Sequence, residues 1–495
     1  MASKKLKATL MDGSELEYVQ TDNPPRGSMK YTYFTPNKDC VAQFYNRKED
    51  GESPKNRERL EKILGIYNPT LSEADGGAKG STKQTAEYFY KLFCWPKALV
   101  QTPEFGIICP AYPQNFFFGK NSVKAGINLN LAGKEKKSKW FTSTKLRKYL
   151  TDEEKGDLQK MICISIALAR AVRRLHAAGL AHSDLSSNNV LIDPINGSCA
   201  VIDIDSLVVP DLFPPDVAGT RGYIAPEVLE SMNLDFQNPA RKLPSIRTDL
   251  FALPVLIYEY LLKRHPLEGP KVHHSDPTED DFLVHGPNAL FIENPNDTSN
   301  RPKNLKTTIK DFGPHIERLF LRAFVDGLHN PLARPSANDW ERALVKTWDL
   351  LQPCSNPNCP EGWFVLHDIY HPICPHCGQV VPKGAVMHFR LKQPLAGRQG
   401  HWRPAGEINL YDNMPLFRWH FFANTFPDEK VQDREMQAYI SRQNNEWYLV
   451  NKSLEGMLSP SGNLVPAGKA IHLRDGLFFM SSNRPGSLLL EVLRR

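Results

Sequence analysis

The sequence predicts an α+β protein with two lobes, followed by a short cysteine-rich segment and a small all-β region. Three observations lead to this prediction. Strand-like runs dominate residues 1–118, helical periodicity dominates 119–350, and short apolar runs separated by Gly, Asn and Pro fill 387–495. The cysteine-rich segment occupies 351–386. Because 495 residues are too many for one hydrophobic core, we expect several domains.

The elements of the two lobes follow from the spacing of apolar residues. In the first lobe, strands are predicted over 29–34 and 40–45 and a helix over 54–66. In the second lobe, apolar residues recur mostly at three- and four-residue intervals over 157–178, which predicts a long helix with one buried face. The other predictions there are helices over 248–262, 316–325 and 337–351, and an irregular insertion, rich in Pro, Asn, Asp and His, over 265–311.

A loop after the long helix carries the residues that predict the chemistry. Asp184 is followed five residues later by Asn189, and Asp203 ends an apolar strand. Phosphoryl transfer needs a carboxylate to accept the proton of the attacking hydroxyl, and amide and carboxylate oxygens to hold Mg²⁺. Either piece alone is typical of an ordinary turn, but the combination predicts ATP and Mg²⁺ as cofactors, with Asp184, Asn189 and Asp203 as the catalytic residues.

Together with the later Ala225-Pro226-Glu227, these motifs make residues 7–350 resemble a eukaryotic-type protein kinase domain, a two-lobed fold with ATP in the cleft. The resemblance implies a Ser/Thr kinase that transfers the γ-phosphoryl group to a protein substrate. It also implies that Glu227 pairs with Arg334, that Asp249 braces the catalytic loop, and that Thr220 lies beside the base, as is typical of Ser/Thr kinases.

The sequence departs from that family where the phosphates should bind. The usual strand lysine is missing from Val41-Ala42-Gln43, but Lys30 resembles the relocated lysine of the with-no-lysine kinases. This second resemblance implies that Lys30 contacts the phosphates. Its partner is then Glu61, with Glu58 as a close rival. The glycine-rich loop is reduced to 24–28, and the remaining nucleotide-binding candidates are Gly27, Arg26, Cys109 and Ala111.

Two further positions differ from the kinase pattern. Ser186 stands where a lysine normally steadies the γ-phosphate, so another cation is needed there. Asp205 replaces the usual glycine, for which we favour bracing of the turn over metal ligation.

Four of the nine cysteines form two close pairs, which predicts a zinc ribbon. Four thiolates close a tetrahedron around Zn²⁺ and leave no open position, so the site is expected to be structural. The other five cysteines stand apart, which does not fit a disulfide framework. The predicted ligands are Cys354, Cys359, Cys374 and Cys377.

The tail, 387–495, predicts a small antiparallel sandwich that resembles forkhead-associated (FHA) domains. In that resemblance Arg418, Asn451 and Ser453 form an anion pocket, and a scaffold without a ligand is the alternative. The order of kinase domain, ribbon and β tail resembles a bacterial kinase group found in tellurite-resistance-associated systems. It implies a von Willebrand A-like protein and a metal-dependent phosphatase as partners.

Composition argues against several other classes. A net charge of +6 without interleaved aromatic residues does not predict a nucleic-acid partner. No apolar window is long enough to span a membrane and no secretory core follows Met1, so we expect a cytoplasmic protein without a membrane partner. Two alternatives to a kinase are a nucleotide-binding pseudokinase scaffold that assembles partner proteins and a small-molecule phosphotransferase. The second is disfavoured by Thr220 and Ala225-Pro226-Glu227.

Overall fold

The computed structural model describes residues 4–27, 29–209, 219–235, 237–368, 370–395, 400–427 and 430–494. The chain divides into two units, each described by itself. Unit 1 consists of Met1–Lys155, Ile164–Pro302 and Phe320–Asn338, and unit 2 consists of Gly156–Cys163, Lys303–Leu319 and Asp339–Arg495. The domain boundaries predicted at 118, 350 and 386 remain predictions.

A six-stranded antiparallel sheet forms the first lobe of unit 1. Its strands are β1 (Lys4–Leu10), β2 (Glu15–Gln20), β3 (Lys30–Phe34), β4 (Cys40–Tyr45), β5 (Ala98–Thr102) and β6 (Gly106–Pro110), in the spatial order β2-β1-β5-β6-β4-β3. Strands β3 and β4 agree with prediction. Lys30 pairs directly with Tyr45, and Thr32 with Gln43. Because directly paired residues share a face of a sheet, this register puts Lys30 on the same face as Gln43 and Tyr45.

Three helices accompany the sheet: α1 (Lys48–Glu52), α2 (Pro54–Leu64) and α3 (Lys83–Leu92). Helix α2 agrees with the helix predicted over 54–66 and begins with Pro54, whose missing N–H costs nothing at a helix start. Its buried residues are Asn56, Arg59, Leu60 and Ile63. This three- and four-residue spacing defines one inward face, and two members of that face are polar.

The second lobe of unit 1 is mostly helical. The elements from here to the end of the helical region are α4 (Lys139–Thr142), α5 (Thr144–Arg147), α6 (Asp152–Lys155), α7 (Leu158–Ala177), β7 (Val190–Asp193), β8 (Ser198–Val201), α8 (Pro226–Ser231), α9 (Ile246–Leu262), α10 (Pro277–His285), α11 (Pro314–Leu321) and α12 (Ala337–Trp348). Most of α11 and α12 and the first turns of α7 belong to unit 2. Helix α9 begins with a capping box between Ser245 and Thr248 and ends at Lys263, which is left-handed (φ 57°). The catalytic loop predicted from the sequence lies between α7 and the β7–β8 hairpin.

The insertion predicted as irregular over 265–311 contains helix α10 and is anchored in the core. The Phe291 ring is fully buried and lies 5.7 Å from that of Tyr258 on α9. The Asn300 amide donates to the carbonyls of Leu267 and Leu290, at 2.9 and 2.7 Å. Scattered apolar residues and one buried amide therefore order a segment whose composition is typical of a loop.

Unit 2 contains the cysteine-rich segment and the β tail. Its strands are β9 (Leu351–Pro353), β10 (Trp363–Val365), β11 (Met387–Pro394), β12 (Trp402–Leu410), β13 (Pro415–Leu416), β14 (Ala438–Gln443), β15 (Glu446–Asn451), β16 (Ala470–Leu473), β17 (Phe478–Met480) and β18 (Leu489–Arg494), with the short helix α13 (Val431–Arg434). The tail has two four-stranded sheets, ordered β12-β11-β18-β17 and β13-β14-β15-β16. Both contribute to one apolar cluster, as the predicted sandwich requires.

Within the described part of the chain, every helix is too short or too polar to cross a bilayer.

Candidate active site

A cleft in unit 1 lies between the sheet of the first lobe and the loop after α7. It encloses about 880 Å³, within the range of roughly 300–1,000 Å³ typical of small-molecule sites. The residues that line it include most of the sites predicted from the sequence: Arg26, Gly27, Lys30, Asp184, Asn189 and Asp203.

Lys30, at the start of β3, is a largely buried cation of this cleft. Its side chain is only 10% exposed, and its Nζ bonds to Asp205 and lies 3.9 Å from Oδ1 of Asp203. Burial disfavours the ammonium, but the carboxylates of Asp205 and Asp203 outweigh that effect and raise the pKa of Lys30. Lys30 is therefore a fixed positive charge inside the cleft.

Gln43 takes the strand position where the kinase family has lysine. Its Nε2 donates to Oγ1 of Thr32 at 3.3 Å, and its Oε1 accepts from the Cys109 thiol at 3.6 Å. The neutral amide of Gln43 on β4 thus bonds to residues of both neighbouring strands, β3 and β6. The positive charge comes instead from Lys30 on β3.

Asp184 is held by hydrogen bonds to both of its carboxylate oxygens. Nδ2 of Asn189 donates to Oδ2 at 2.9 Å and to the Asp184 carbonyl at 2.8 Å, while Oγ1 of Thr220 donates to Oδ1 at 2.7 Å. Because the Asn189 amide nitrogen is engaged with Asp184, its oxygen is the atom available to a cation. The predicted place of Thr220 beside Asp184 is confirmed.

Asp249, near the start of α9, braces the loop that carries Asp184, as predicted. Its carboxylate accepts the backbone N–H groups of His182 and Ser183, at 2.7 and 3.2 Å, and lies 3.1 Å from Nε2 of His176. The His182 ring is fully buried and its Nε2 donates to the Ile202 carbonyl at 3.0 Å. The loop that carries Asp184 is thus tied both to α9 and to the segment leading to Asp203.

Asp203 and Asp205 concentrate negative charge at the turn after β8. Asp203 has a left-handed backbone (φ 63°), a strained conformation that is often found at functional sites. Partial desolvation in the cleft and the neighbouring Asp205 carboxylate raise the pKa of Asp203, and Lys30 opposes this effect. Crowded carboxylates beside an amide oxygen suit a hard divalent cation, so the residues present fit Mg²⁺ held by Asn189 and Asp203.

The structure pairs Lys30 with Asp205 instead of Glu61. Glu61 lies on the exposed face of α2, and its rival Glu58 bonds Lys62 at 2.7 Å on the same helix. Arg59 occupies the inward face in their place and donates to Oδ1 of Asn56 at 2.7 Å. Asn56 in turn donates to the Tyr45 hydroxyl at 3.1 Å. Only Leu60 and Ile63 mark this face as apolar in the sequence, so no sequence signal identified Arg59.

Ser186 brings no charge to the cleft, but Lys137 is one of the cations that line it. Ser186 is fully buried, and its Oγ accepts the Asn188 N–H at 3.3 Å. Lys137 lines the cleft and lies 3.4 Å from Oε2 of Glu135. Lys137 therefore adds a positive charge to the cleft from outside the catalytic loop.

The reduced phosphate loop folds back on β3. The Gly27 N–H, a predicted phosphate contact, donates to the Lys30 carbonyl at 2.8 Å, and the Gly27 carbonyl accepts from Nδ2 of Asn46 at 3.1 Å. The Arg26 guanidinium lies over the Tyr31 ring at 5.7 Å. Gly27 therefore offers no amide to a phosphate, whereas Arg26 lines the cleft with its charge.

Cys109 and Ala111 are not among the residues that line the cleft. The Cys109 thiol is buried against Gln43, and burial raises its pKa, so it stays a thiol. The Ala111 N–H donates to the Asp39 carbonyl at 2.9 Å. The next residue, Tyr112, lines the cleft, and the sequence prediction missed it.

Glu227 and Arg334 form the predicted ion pair. Both carboxylate oxygens of Glu227 accept from the Arg334 guanidinium at 2.8 Å, and Arg334 also donates to the carbonyls of Gly327 and Arg247 at 2.9 Å. The Arg334 side chain is fully buried. Such a bidentate pair with its remaining donors satisfied fixes the segment after Thr220 to the helical lobe.

The four cysteines of unit 2 meet as predicted. Cys354 and Cys377 have sulfur atoms 3.5 Å apart, and those of Cys359 and Cys374 are 3.8 Å apart. All four sulfurs lie within 4.8 Å of one another. A zinc tetrahedron with Zn–S bonds of about 2.3 Å has edges of about 3.8 Å. The cluster is therefore compatible with structural Zn²⁺ and leaves no sulfur over for catalysis.

The three tail residues considered as an anion pocket have other partners. The Asn451 amide donates to the carbonyls of Leu454 and Val465 and accepts the Leu454 N–H. Ser453 donates to the Met436 carbonyl at 3.3 Å, and Arg418 lies over the Phe422 ring. Asn451 in particular is a structural residue of the loop after β15, and the three do not form an anion pocket in this structure.

Comparison with known proteins agrees with the geometry of unit 1. Residues 138–318 match the family model described as protein kinase domain, and this segment includes Asp184, Asn189, Asp203 and Glu227. The fold is thus protein-kinase-like, with helices and sheets combined in an α+β arrangement.

Curated relatives, two of them named as kinases, match part of this chain at low identity. The probable serine/threonine-protein kinase RTK1 of Saccharomyces cerevisiae is 29% identical, over 26% of this chain and 22% of the relative. The human anti-Muellerian hormone type-2 receptor is 34% identical, over 23% of each chain, and rhodopsin kinase grk7-a of Xenopus laevis is 31% identical, over 24% of this chain and 20% of the relative. The chain thus spans about a fifth of the length of the curated relatives it matches.

Proposed function

We propose that this chain is an ATP-dependent Ser/Thr protein kinase that transfers the γ-phosphoryl group to a protein hydroxyl. One observation carries the proposal: Asp184, Asn189 and Asp203 line a single cleft together with the buried cation of Lys30. The match of residues 138–318 to the protein kinase domain supports it.

Each residue has a distinct task in this proposal. Asp184 accepts the proton of the attacking hydroxyl, because Asn189 and Thr220 orient its carboxylate and still leave lone pairs on both oxygens. Lys30 attracts the phosphates, and Asn189 and Asp203 supply oxygens that hold Mg²⁺. When bound, Mg²⁺ neutralises the charge that develops on the transferred group. Most of the catalysis is positioning and electrostatic stabilisation.

A phosphotransfer assay tests the proposal directly. The full chain is incubated with labelled ATP, Mg²⁺ and a generic protein substrate, beside Asp184→Asn, Lys30→Met and the control Lys7→Met, which removes an exposed lysine of the same lobe. We expect Asp184→Asn to lower the rate by roughly 100-fold or more, the usual range for loss of an acid–base residue. Transfer that persists in Asp184→Asn would contradict the proposal. Nucleotide binding without any transfer in the unmodified chain would favour the scaffold alternative.

We also propose a setting for this activity. The order of kinase fold, four-cysteine cluster and β tail supports a bacterial signalling or stress system, with structural Zn²⁺ in the cluster and an FHA-like tail. The partners proposed from the same resemblance are a von Willebrand A-like protein and a metal-dependent phosphatase. If this setting is right, such a phosphatase removes the phosphate that this chain adds, and a phosphorylated product that resists it would contradict the proposal.

A further inference from the structure

Two buried histidines and a glutamate converge beside the segment that carries Thr220. His265 lies just after α9, Glu268 three residues later, and His285 at the end of α10. One donor atom from each lies within 4.8 Å of the others. The histidines are 8% and 4% exposed, whereas the Glu268 side chain is 63% exposed. The two imidazoles of the cluster are thus buried, and its carboxylate is exposed to solvent.

The hydrogen bonds of His285 prepare one of its nitrogens as a ligand. Its Nδ1 lies 3.0 Å from the Asp281 carbonyl and must donate to it, which leaves the lone pair of neutral His285 on Nε2. That Nε2 is buried and has no hydrogen-bond partner among the described residues. Its nearest acidic neighbour is Oε1 of Glu268, at 3.7 Å. A backbone carbonyl that fixes the tautomer and orients the ring is the usual support of a metal-bound histidine.

His265 connects the cluster to the substrate side of the proposed kinase. Its Nε2–H donates to the Gly222 carbonyl at 3.0 Å, and its Nδ1 accepts the Leu267 N–H at 3.2 Å. One ring nitrogen of His265 therefore donates and the other accepts, which is the pattern of a neutral imidazole. A Cβ placed on Gly222 would lie 3.5 Å from Nε2 of His265 and 3.9 Å from Nε2 of His285. Both nitrogens therefore face the same small space beside Gly222.

We propose that His265, Glu268 and His285 form a binding site for a borderline divalent cation of the Zn²⁺ type. Imidazole nitrogens combined with one carboxylate suit such ions, and three protein ligands leave a fourth position to water. Tetrahedral ligands at zinc lie about 3.4 Å apart. Because the side chain of Glu268 is exposed, it can move toward the two histidines and reach this ligand spacing. This site is separate from the four-cysteine cluster, whose sulfurs complete a tetrahedron of their own.

Occupancy of the site changes the contacts of Gly222. For Nε2 of His265 to bind the cation, its proton moves to Nδ1, and the bonds to the Gly222 carbonyl and the Leu267 N–H are both given up. Gly222 lies two residues after Thr220, which bonds Asp184. The cation therefore loosens the segment that positions the proposed base. This consequence rests on the proposed function, whereas the binding site itself does not.

Metal stoichiometry tests the site in the full chain without nucleotide. The unmodified chain, Glu268→Gln, His285→Gln and the control His274→Gln are dialysed against Zn²⁺ and their bound metal is measured. His274 lies in the same segment and its imidazole is not part of the cluster. We expect Glu268→Gln and His285→Gln to bind one equivalent less than the other two proteins. Equal stoichiometry in all four would overturn the proposal, and exposed Glu268 keeps the test valid even if His285→Gln folds poorly.

Cobalt spectroscopy identifies the ligands of the additional equivalent. With the cysteine cluster first filled with Zn²⁺, added Co²⁺ should show d–d bands without thiolate charge transfer, and Glu268→Gln should abolish them. A thiolate band would place the ion on cysteine and overturn the site. If the chain proves to have no phosphotransfer activity, both metal readouts still decide this proposal. If it is active, Zn²⁺ should slow it more than it slows Glu268→Gln, and equal slowing would overturn the link to Gly222.

Discussion

Nζ of Lys30 lies 3.9 Å from Oδ1 of Asp203 and bonds Asp205 directly. A cation from strand β3 thus reaches the acidic turn after β8, although the neighbouring strand has only the neutral Gln43. In the proposed kinase, Asp205 and the phosphates of ATP compete for the ammonium of Lys30. Asp205 stabilises the buried ammonium, whereas the phosphates attract it away from Asp205. Nucleotide affinity should depend on this competition.

Neutralising Asp205 should strengthen nucleotide binding. In Asp205→Asn the ammonium of Lys30 loses its closest anion and the cleft loses a negative charge that repels phosphate. We expect ATP to bind about tenfold more tightly, which corresponds to about 1.4 kcal/mol. Titration with a fluorescent ATP analogue in the absence of divalent ions measures this affinity. Weaker binding would instead mean that Asp205 is needed to position Lys30.

A double-mutant cycle assigns this effect to Lys30. In a Lys30→Met background, the change Asp205→Asn should alter ATP affinity far less than it does in the unmodified chain, because the pair that it breaks is already absent. The same cycle, followed by thermal unfolding, should show Lys30→Met alone to be the least stable protein, since it leaves two carboxylates crowded together. Additive effects on affinity would rule out direct competition at Lys30.

Thr220 should act on catalysis through Asp184. Thr220→Val removes the 2.7 Å hydrogen bond to Oδ1 and leaves the shape nearly unchanged. Loss of one hydrogen bond to a charged group is worth about 1.5–3 kcal/mol. We therefore expect kcat/KM for a protein substrate to fall by at least tenfold, while Thr220→Ser, which keeps the hydroxyl, retains most of the activity. Similar losses in both variants would show that the methyl group, and not the hydrogen bond, matters.

The resemblance to the with-no-lysine kinases indicated Lys30, and the structure places it in the cleft as the first residue of β3. Its contact with the phosphates stays a prediction. Its carboxylate partner could not be predicted in the same way. Which face of α2 turns inward depends on packing against the sheet, and the structure turns Asn56 and Arg59 inward and Glu61 outward. A small difference in the rotation of α2 therefore decides whether basic Arg59 or acidic Glu61 faces inward.

Contacts with residues elsewhere in the chain also place some groups where the sequence pattern does not predict them. The segment 134–148 is rich in lysine, yet Lys136 is buried and pairs with Glu154 at 2.5 Å. Ala111 was predicted as a nucleotide-binding residue, but its N–H donates to the carbonyl of Asp39. Both partners lie far away in sequence, and no local pattern identifies them.

The buried pair of Arg334 and Glu227 should be a major contributor to stability. Arg334→Met leaves the Glu227 carboxylate without its bidentate partner, and breaking a buried pair in this way costs about 3–5 kcal/mol. Lys7→Met, which breaks an exposed pair with Glu15 in the same unit, should lower the free energy of unfolding far less. Chemical unfolding of both variants measures the difference. Equal, small effects would show that the segment after Thr220 does not depend on this pair.

Glu259 should make unit 1 less stable as the pH rises. Its Oε2 accepts from the Tyr223 hydroxyl at 2.6 Å, and burial raises its pKa from 4.5 to about 8. The folded chain therefore keeps a proton that the unfolded chain releases above about pH 4.5. The free energy of unfolding falls across this window by at most about 1.4 kcal/mol per pH unit and levels off above the folded pKa.

Glu259→Gln should remove this dependence, because the amide oxygen still accepts from Tyr223 but carries no titrating proton. We expect the variant to unfold at a higher temperature than the unmodified chain at pH 8, with a difference that shrinks toward pH 5. Glu293→Gln is the matched control: Glu293 accepts from Tyr258 at 2.5 Å but also pairs with Arg264 at 3.0 Å, so its loss should destabilise at both pH values. If Glu259→Gln instead destabilises the chain equally at pH 5 and pH 8, the Glu259 carboxylate is ionised in the folded chain. Glu259 would then stabilise the fold through its hydrogen bond with Tyr223, and the predicted pH dependence would be wrong.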